Sequence, residues 1–479
     1  MIYTFFAFQR YCLGSKSDVS KVIAGMDWQE LYSFASKQAL LGLCFEGIER
    51  LGKEYPEELR LNPIGRELLM TWMGKAQQIR RQNMKVNAVA SKLFSMLRED
   101  GLRCCILKGQ GNALMYPNPY SRTPGDIDVW IDASRERIME YAQKKYELGD
   151  DIRLQHLETS LDGVPVELHF FPCSMNNPIY HARLQKWFKR NADSQCSHIV
   201  GLPDGAGDIA IPTTAFNVVY QLTHLYHHFF DEGIGMRQII DYFLVVNDFS
   251  KNVFLDYDFS NHPVPLSKEG STFSPSPSQW SLHPLRFPRF RGTETSGSGD
   301  VTAPSRCSEP LRSKDGGASK PSPDCAGWDR RGVSGDTSSA SCSSASGSSI
   351  TSVRSAFTTD SSASTALVVV QRELKYLGLW KFAGAVMYVL KEVLGLAEDK
   401  MIVPMDEKRG RLLLAEILDG GNFGRHFTKY AGFTHQSMGK KYFLKIWRNM
   451  HFVRYYPAEA LSEPIFRTWH FFWRVKNKK

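Results

Sequence analysis

At 479 residues, 42% hydrophobic and 23% charged, the chain is long enough for two or three buried cores and is neither wholly disordered nor membrane-embedded. No stretch approaches the roughly 20 apolar residues that cross a bilayer. The apolar start, residues 1–8, lacks a basic leader, so a cytoplasmic protein is expected. The net charge of +9 is uneven: residues 440–479 hold ten Lys or Arg against two Glu, a net of +8. The nine cysteines include no Cys-x-x-Cys pair, which argues against a zinc knuckle or a disulfide framework.

In chain order, residues 1–100 predict an N-terminal helical region, with apolar residues at helical spacing and a long run from Glu67 to Glu99 broken only by Gly74. Residues 101–213 predict a small α/β domain. Residues 104–107 form a short apolar run feeding the turn Lys108-Gly109, and residues 127–131 alternate as a half-buried strand does. A surface helix is expected over 135–145, then strands over 152–161 and 164–170 joined at Asp162-Gly163, the strongest short hairpin signal. Helices resume over 214–249 and again over 366–435, the two halves of one helical domain. Between them, residues 250–365 are rich in Ser, Pro, Gly and Thr, with 14 serines between Arg331 and Thr365. Such a segment has too little apolar area to offset its ordering entropy and is expected to be a disordered insertion. Residues 436–479 form a basic aromatic segment. The overall expectation is an α+β protein: a small mixed-sheet domain flanked by helical regions.

The acids carry the functional argument. Residues i and i+2 of a strand point to one face, so Gly125-Asp126-Ile127-Asp128 supplies two carboxylates on the side opposite Ile127 and Val129. Glu167, set between Val166 and Leu168 on the second hairpin arm, supplies a third. Converging carboxylates suit a hard divalent cation, Mg²⁺ or Mn²⁺, and two such ions stabilise transfer of a charged phosphorus group. His169 shares the Glu167 face and could contact phosphate. Upstream, Lys108, Gly109 and Gln110 form a strand-to-helix turn whose backbone N–H groups can approach a triphosphate, with Arg122 as a fork of donors.

Together, Leu107-Lys-Gly109, Arg122-Thr-Pro-Gly-Asp-Ile-Asp128 and Val166-Glu-Leu-His169 resemble the polymerase-β-type nucleotidyltransferase superfamily. More narrowly, the chain is similar to a bacterial family of uncharacterised nucleotidyltransferases. The later stretch His224-Leu-Tyr-His-His228, followed by Gly233-Ile-Gly-Met-Arg-Gln-Ile-Ile-Asp241, resembles that family's helical part. The resemblance implies Asp126, Asp128 and Glu167 as metal ligands, with Glu167 helping to activate the acceptor, and Lys108 and Gly109 at the triphosphate. The superfamily's Gly-Ser or Gly-Gly turn is here Gly109-Gln110, and the gap from Gly109 to Asp126 is longer than usual.

His224, Arg237 and Asp241 are candidates for the acceptor pocket, although Arg237 and Asp241 could simply pair along a helix. His224 and His228, at i and i+4, lack the glutamate of a zinc-protease motif. The tail's Trp447-Arg448 and Arg467-Thr-Trp-His-Phe-Phe-Trp473 suit RNA, an anionic membrane surface or plain packing. The expected activity is transfer of an NMP from an NTP, the substrate partner, to a hydroxyl of a small molecule, sugar or peptide. The alternatives are an RNA acceptor, a nucleotide-binding protein without turnover, or a copy disrupted by the Ser-rich segment.

Overall fold

The computed structural model describes residues 2–16, 19–146, 153–252, 359–424 and 446–477. The chain divides into two units, residues 1–262 with 352–479, and residues 263–351. The expected disordered insertion at 250–365 falls almost entirely outside the described residues.

Six helices precede the first strand: α1 (Ile2–Cys12), α2 (Ser20–Ala24), α3 (Trp28–Lys37), α4 (Leu41–Glu54), α5 (Pro56–Leu61) and α6 (Arg66–Glu99). The Asp27 carboxylate accepts the Glu30 N–H and caps α3. The apolar start is a packed helix: Phe5, Phe6 and Phe8 are buried, and the Arg10 Nε donates to the Val393 carbonyl at 2.9 Å.

The strands β1 (Cys104–Leu107), β2 (Ile127–Ile131), β3 (His156–Leu161) and β4 (Val164–His169) form one mixed sheet in the order β1-β2-β4-β3. β1 and β2 are antiparallel, β2 and β4 parallel, β4 and β3 antiparallel. The hairpin turn is the expected one. Asp162 and Gly163 both take positive φ, 51° and 72°, as a two-residue turn with right-handed strand twist requires. Two short helices complete this region, α7 (Gly109–Ala113) and α8 (Arg135–Lys145), the latter capped by Ser134.

One face of the sheet is apolar. Ile106, Ile127, Val129, Ile131, Val166 and Leu168 pack against Val89, Leu93 and Phe94 of α6 and Ile138 of α8. The other face is divided. Trp130 stacks on Phe216 with ring centroids 6.2 Å apart and planes 8° apart, and Trp187 stacks on the same ring at 4.5 Å. This is why β2 is buried along its whole length rather than half-buried: helices cover its second face beyond the acids.

Trp187 belongs to α9 (Pro178–Ser197). The small ribbon of β5 (Ile199–Gly201) and β6 (Asp208–Ala210) follows it, then α10 (Thr214–Asp231) and α11 (Met236–Asn252). Beyond 358 come α12 (Thr359–Tyr376), α13 (Trp380–Leu394), α14 (Glu407–Gly420) and α15 (Pro457–Asn477). Helix periodicity is interrupted at Gly378, whose φ of 74° is open to glycine and strained for other residues. The two helical halves share a core: Tyr226 of α10 meets Phe382 of α13 at 4.8 Å. No helix among the described residues is long and apolar enough to cross a membrane.

The basic tail is partly structural. Arg448 is buried and donates through Nη2 to the Phe229 and Phe230 carbonyls at 3.0 and 2.9 Å, satisfying the end of α10. Trp469, Phe471 and Phe472 are exposed.

One close approach fixes the loop leading to β2. Gly42 of α4 lies against the Ser121 backbone carbonyl, and any side chain there would collide with it. Gly42→Val should therefore lower stability by about 1–3 kcal/mol through overpacking. Urea unfolding measures this, and an unchanged midpoint would mean that the loop shifts freely.

Candidate active site

The sheet register builds the site. Directly paired residues share a face, so Leu107, Asp128, Glu167 and Glu158 form one row across the four strands. The next row, two residues along, is Cys105, Trp130, His169 and His156. Neighbouring strands lie about 4.8 Å apart. Three carboxylates thus stand side by side in one row, the outermost, Glu158, paired with Arg153 at 2.5 Å, and two imidazoles stand beside them.

The inner pair, Asp128 and Glu167, needs compensation. His169 Nε2 lies 3.1 Å from Asp128 Oδ1 and 3.2 Å from Glu167 Oε2, and the Lys108 ammonium lies 3.0 Å from Asp128 Oδ1. Burial opposes charging of His169, but the two carboxylates win and raise its pKa to about 9. Burial likewise opposes ionisation of Asp128, yet Lys108 and His169 hold it well below the usual carboxylate range. Glu167 is also lowered, against burial, by His169. His156 is different: burial and the His169 charge push it down to about 4, so it is neutral, and neither ring nitrogen makes a hydrogen bond. Its Nδ1 lies 3.3 Å from Glu167 Oε2.

Asp126 stands just before β2 and is exposed, with no ion-pair partner among the described residues. Repulsion from Asp128, with a further part from Glu167, raises its pKa to about 6 against the attraction of Lys108. Lys108 and Gly109 make the turn beside it, both at positive φ, 53° and 39°. That conformation costs a lysine about 1–3 kcal/mol and occurs where a site demands it. The backbone brings Gly109 to within 3.9 Å of the Asp126 carbonyl, measured from the position a Cβ would occupy.

The opposite wall comes from α10 and α11. A cleft of about 520 Å³, open to solvent, is lined by Lys108, Gly109, Arg122, Asp126 and Asp128 on one side. Gln221, His224, Arg237, Gln238, Asp241 and Phe423 line the other. Gly235 allows this closure, because its missing Cβ leaves room for the backbone at Asn422, next to Phe423.

Within the cleft the predicted residues are partnered differently from the sequence reading. Asp241 pairs with Arg122, not Arg237: Arg122 Nε and Nη2 donate to its two oxygens at 2.9 and 2.7 Å, and Tyr116 adds a third bond at 2.8 Å. Arg122's fork is thus directed at a buried carboxylate. Arg237 Nη1 donates to the Thr123 carbonyl at 3.0 Å. His224 Nε2 lies 2.8 Å from Lys108 Nζ and 3.0 Å from His228 Nε2, and burial followed by the Lys108 charge keeps its pKa far below the ordinary value. The Gln110 amide turns away from the cleft to Asn87 of α6.

Asp126 and Asp128 offer hard oxygen donors in this cleft, and Glu167 stands beside Asp128 on the neighbouring strand. Among the described residues, the three metal-capable groups within 4.8 Å of one another are His156, Glu167 and His169; the predicted trio is not such a set. Asp128 is held by Lys108 and His169, and Glu167 by His169. His156 was not singled out from sequence, and its pairing across the hairpin with His169 was the available signal. Asn83 was also missed. This buried amide on α6 donates to the Tyr120 and Arg122 carbonyls at 3.0 and 2.8 Å. It holds the long Gly109-to-Asp126 segment in place, and a polar residue on the apolar stripe of α6 was its trace.

Residues 24–260 match a family model described as uncharacterised nucleotidyltransferase. No curated protein and no solved structure matches the chain.

Two outcomes follow from the charge pairs. Arg122→Ala leaves Asp241 buried without its cation and should cost about 3–5 kcal/mol of stability in urea unfolding. His169, raised to about 9 from 6.5, contributes stability that is complete below pH 6.5 and lost as pH rises through about 9. Thermal melts should show the wild-type chain losing stability over that alkaline range more steeply than His169→Gln; parallel curves would remove the assignment.

Proposed function

From the match of residues 24–260 to a family model described as uncharacterised nucleotidyltransferase, we propose that the chain transfers an NMP from an NTP to a hydroxyl of a small acceptor. The observation that carries this reading is the parallel register of Asp128 with Glu167, with Asp128 lining the cleft 3.0 Å from the Lys108 ammonium.

In the proposed reaction the acceptor oxygen attacks the α-phosphorus, a new P–O bond forms, and the bond to the bridging oxygen breaks to release pyrophosphate. The acceptor proton passes to a carboxylate oxygen of Glu167. A divalent cation bound at Asp126, Asp128 and Glu167 supplies charge neutralisation at the phosphates and a more acidic acceptor hydroxyl. The donor chemistry fits: hard oxygens suit Mg²⁺ or Mn²⁺, and Asp126 makes no ion pair among the described residues. The Lys108 ammonium, 3.0 Å from Asp128, is placed to turn towards phosphate once that carboxylate has another partner. His169 holds Asp128 and Glu167 at a fixed separation through its shared N–H.

An RNA acceptor rests on the basic tail, but Arg448 in that tail is buried at the end of α10.

Asp126→Asn tests the reading with little risk to folding, because the carboxylate has no ion pair to lose. Transfer of label from α-labelled ATP, CTP, GTP and UTP should fall roughly 100-fold or more, at least the loss that removing an outer partner of a metal site brings. Undiminished transfer would exclude catalysis at these acids.

A further inference from the structure

The ionisable groups lining the cleft can be matched one against another. Lys108 stands at 3.0 Å from Asp128, and Arg122 at 2.7 Å from Asp241. Two charges are left over on facing walls, the Asp126 carboxylate and the Arg237 guanidinium. Neither has an oppositely charged partner at ion-pair distance among the described residues.

Arg237 is the more demanding of the two. Its side chain is 9% exposed, it makes one hydrogen bond, to the Thr123 carbonyl, and its Nε has no acceptor. The Phe423 ring lies 5.5 Å away and offers only a weak cation–π contact. A buried cation without a carboxylate is strongly unfavourable unless an anion arrives to satisfy it. Arg122, the arginine expected at the nucleotide, cannot serve in the same way, because Asp241 and Tyr116 already hold that cluster together.

A ligand that completes both walls at once must carry a cation for Asp126 and oxyanions for Arg237. A metal-chelated polyphosphate does so, and a neutral sugar or peptide does not. We propose that Arg237 binds the phosphate oxygens of the metal-chelated nucleotide, with its planar fork reaching from α11 across the cleft to the metal edge of the sheet. This rests on the nucleotidyltransferase reading and adds the contact that the helical region makes to the donor substrate. It also assigns the two arginines separate tasks: Arg122 braces the wall, and Arg237 meets the ligand.

The test uses the full chain and magnesium tripolyphosphate as the probe, followed by thermal shift and calorimetry, with Mg²⁺–NTPs and glucose 1-phosphate as further arms. The wild-type chain should bind magnesium tripolyphosphate and NTPs, and its melting temperature should rise on binding. Arg237→Met should weaken that binding at least tenfold, while the unliganded variant melts no lower than wild type, since an uncompensated charge has been removed. Arg237→Lys, which keeps the charge without the fork, should lie between them. Unchanged binding in Arg237→Met, or unliganded melting of both variants below wild type, would make Arg237 a structural residue and overturn the proposal. Binding of glucose 1-phosphate but not NTPs, lost in Arg237→Met, would move the arginine to the acceptor and overturn the assignment to nucleotide. A wild-type chain that binds none of these probes would overturn the nucleotide reading itself, and this proposal with it.

Discussion

Asp128 and Glu167 are held side by side by backbone hydrogen bonds that neither side chain can escape. In a parallel pair the strands sit about 4.8 Å apart, and directly matched residues lie on one face. Two carboxylates so placed repel, and the repulsion grows as the surroundings become less polar. The neighbouring ionisable groups answer that constraint. Lys108 sits on one oxygen of Asp128 in a backbone conformation that lysine seldom adopts. His169 takes a second proton and bridges both acids. His156, next in its row, stays neutral because burial, and then the charge on His169, oppose a second cation there.

The sheet alone could not keep this arrangement. Its apolar face lies on α6, and the same helix reaches round through Asn83 to hold the carbonyls of Tyr120 and Arg122. Gly42 of α4 presses on Ser121 from the other side. The segment between Lys108 and Asp126 is therefore clamped along its length, so the lysine turn and the first acid approach each other from a rigid frame. Rigidity of this kind is what a site needs if its charges are to stay unfavourably close.

The far wall follows a different logic. On α11, Asp241 is neutralised from the sheet domain by Arg122, so the contact between the two regions is itself an ion pair buried at the rim of the cleft. Breaking it would both loosen the wall and expose the acids. Arg237, one turn earlier on the same helix, has no such tie and faces the open space. The cleft thus separates charges that hold the protein together from charges that await a ligand.

How much of this the sequence by itself determined can be traced residue by residue. The alternation around Asp128, the Asp162-Gly163 turn and the apolar flanks of Glu167 determined the strands and hairpin and the face that Asp128 and Glu167 share, because those features act over a few neighbouring residues, whereas Asp126 falls just before the strand. The helix over 135–145 and the periodic run to Glu99 were legible for the same reason. Tertiary structure alone decided that Arg122 rather than Arg237 would meet Asp241 and that Gln110 would turn inward to α6. Those outcomes depend on which distant groups compete for the same charge at short range. A chain read in one dimension carries spacing and polarity, but contacts between residues 23 or 119 apart on different elements, as here, exist only once those elements have packed.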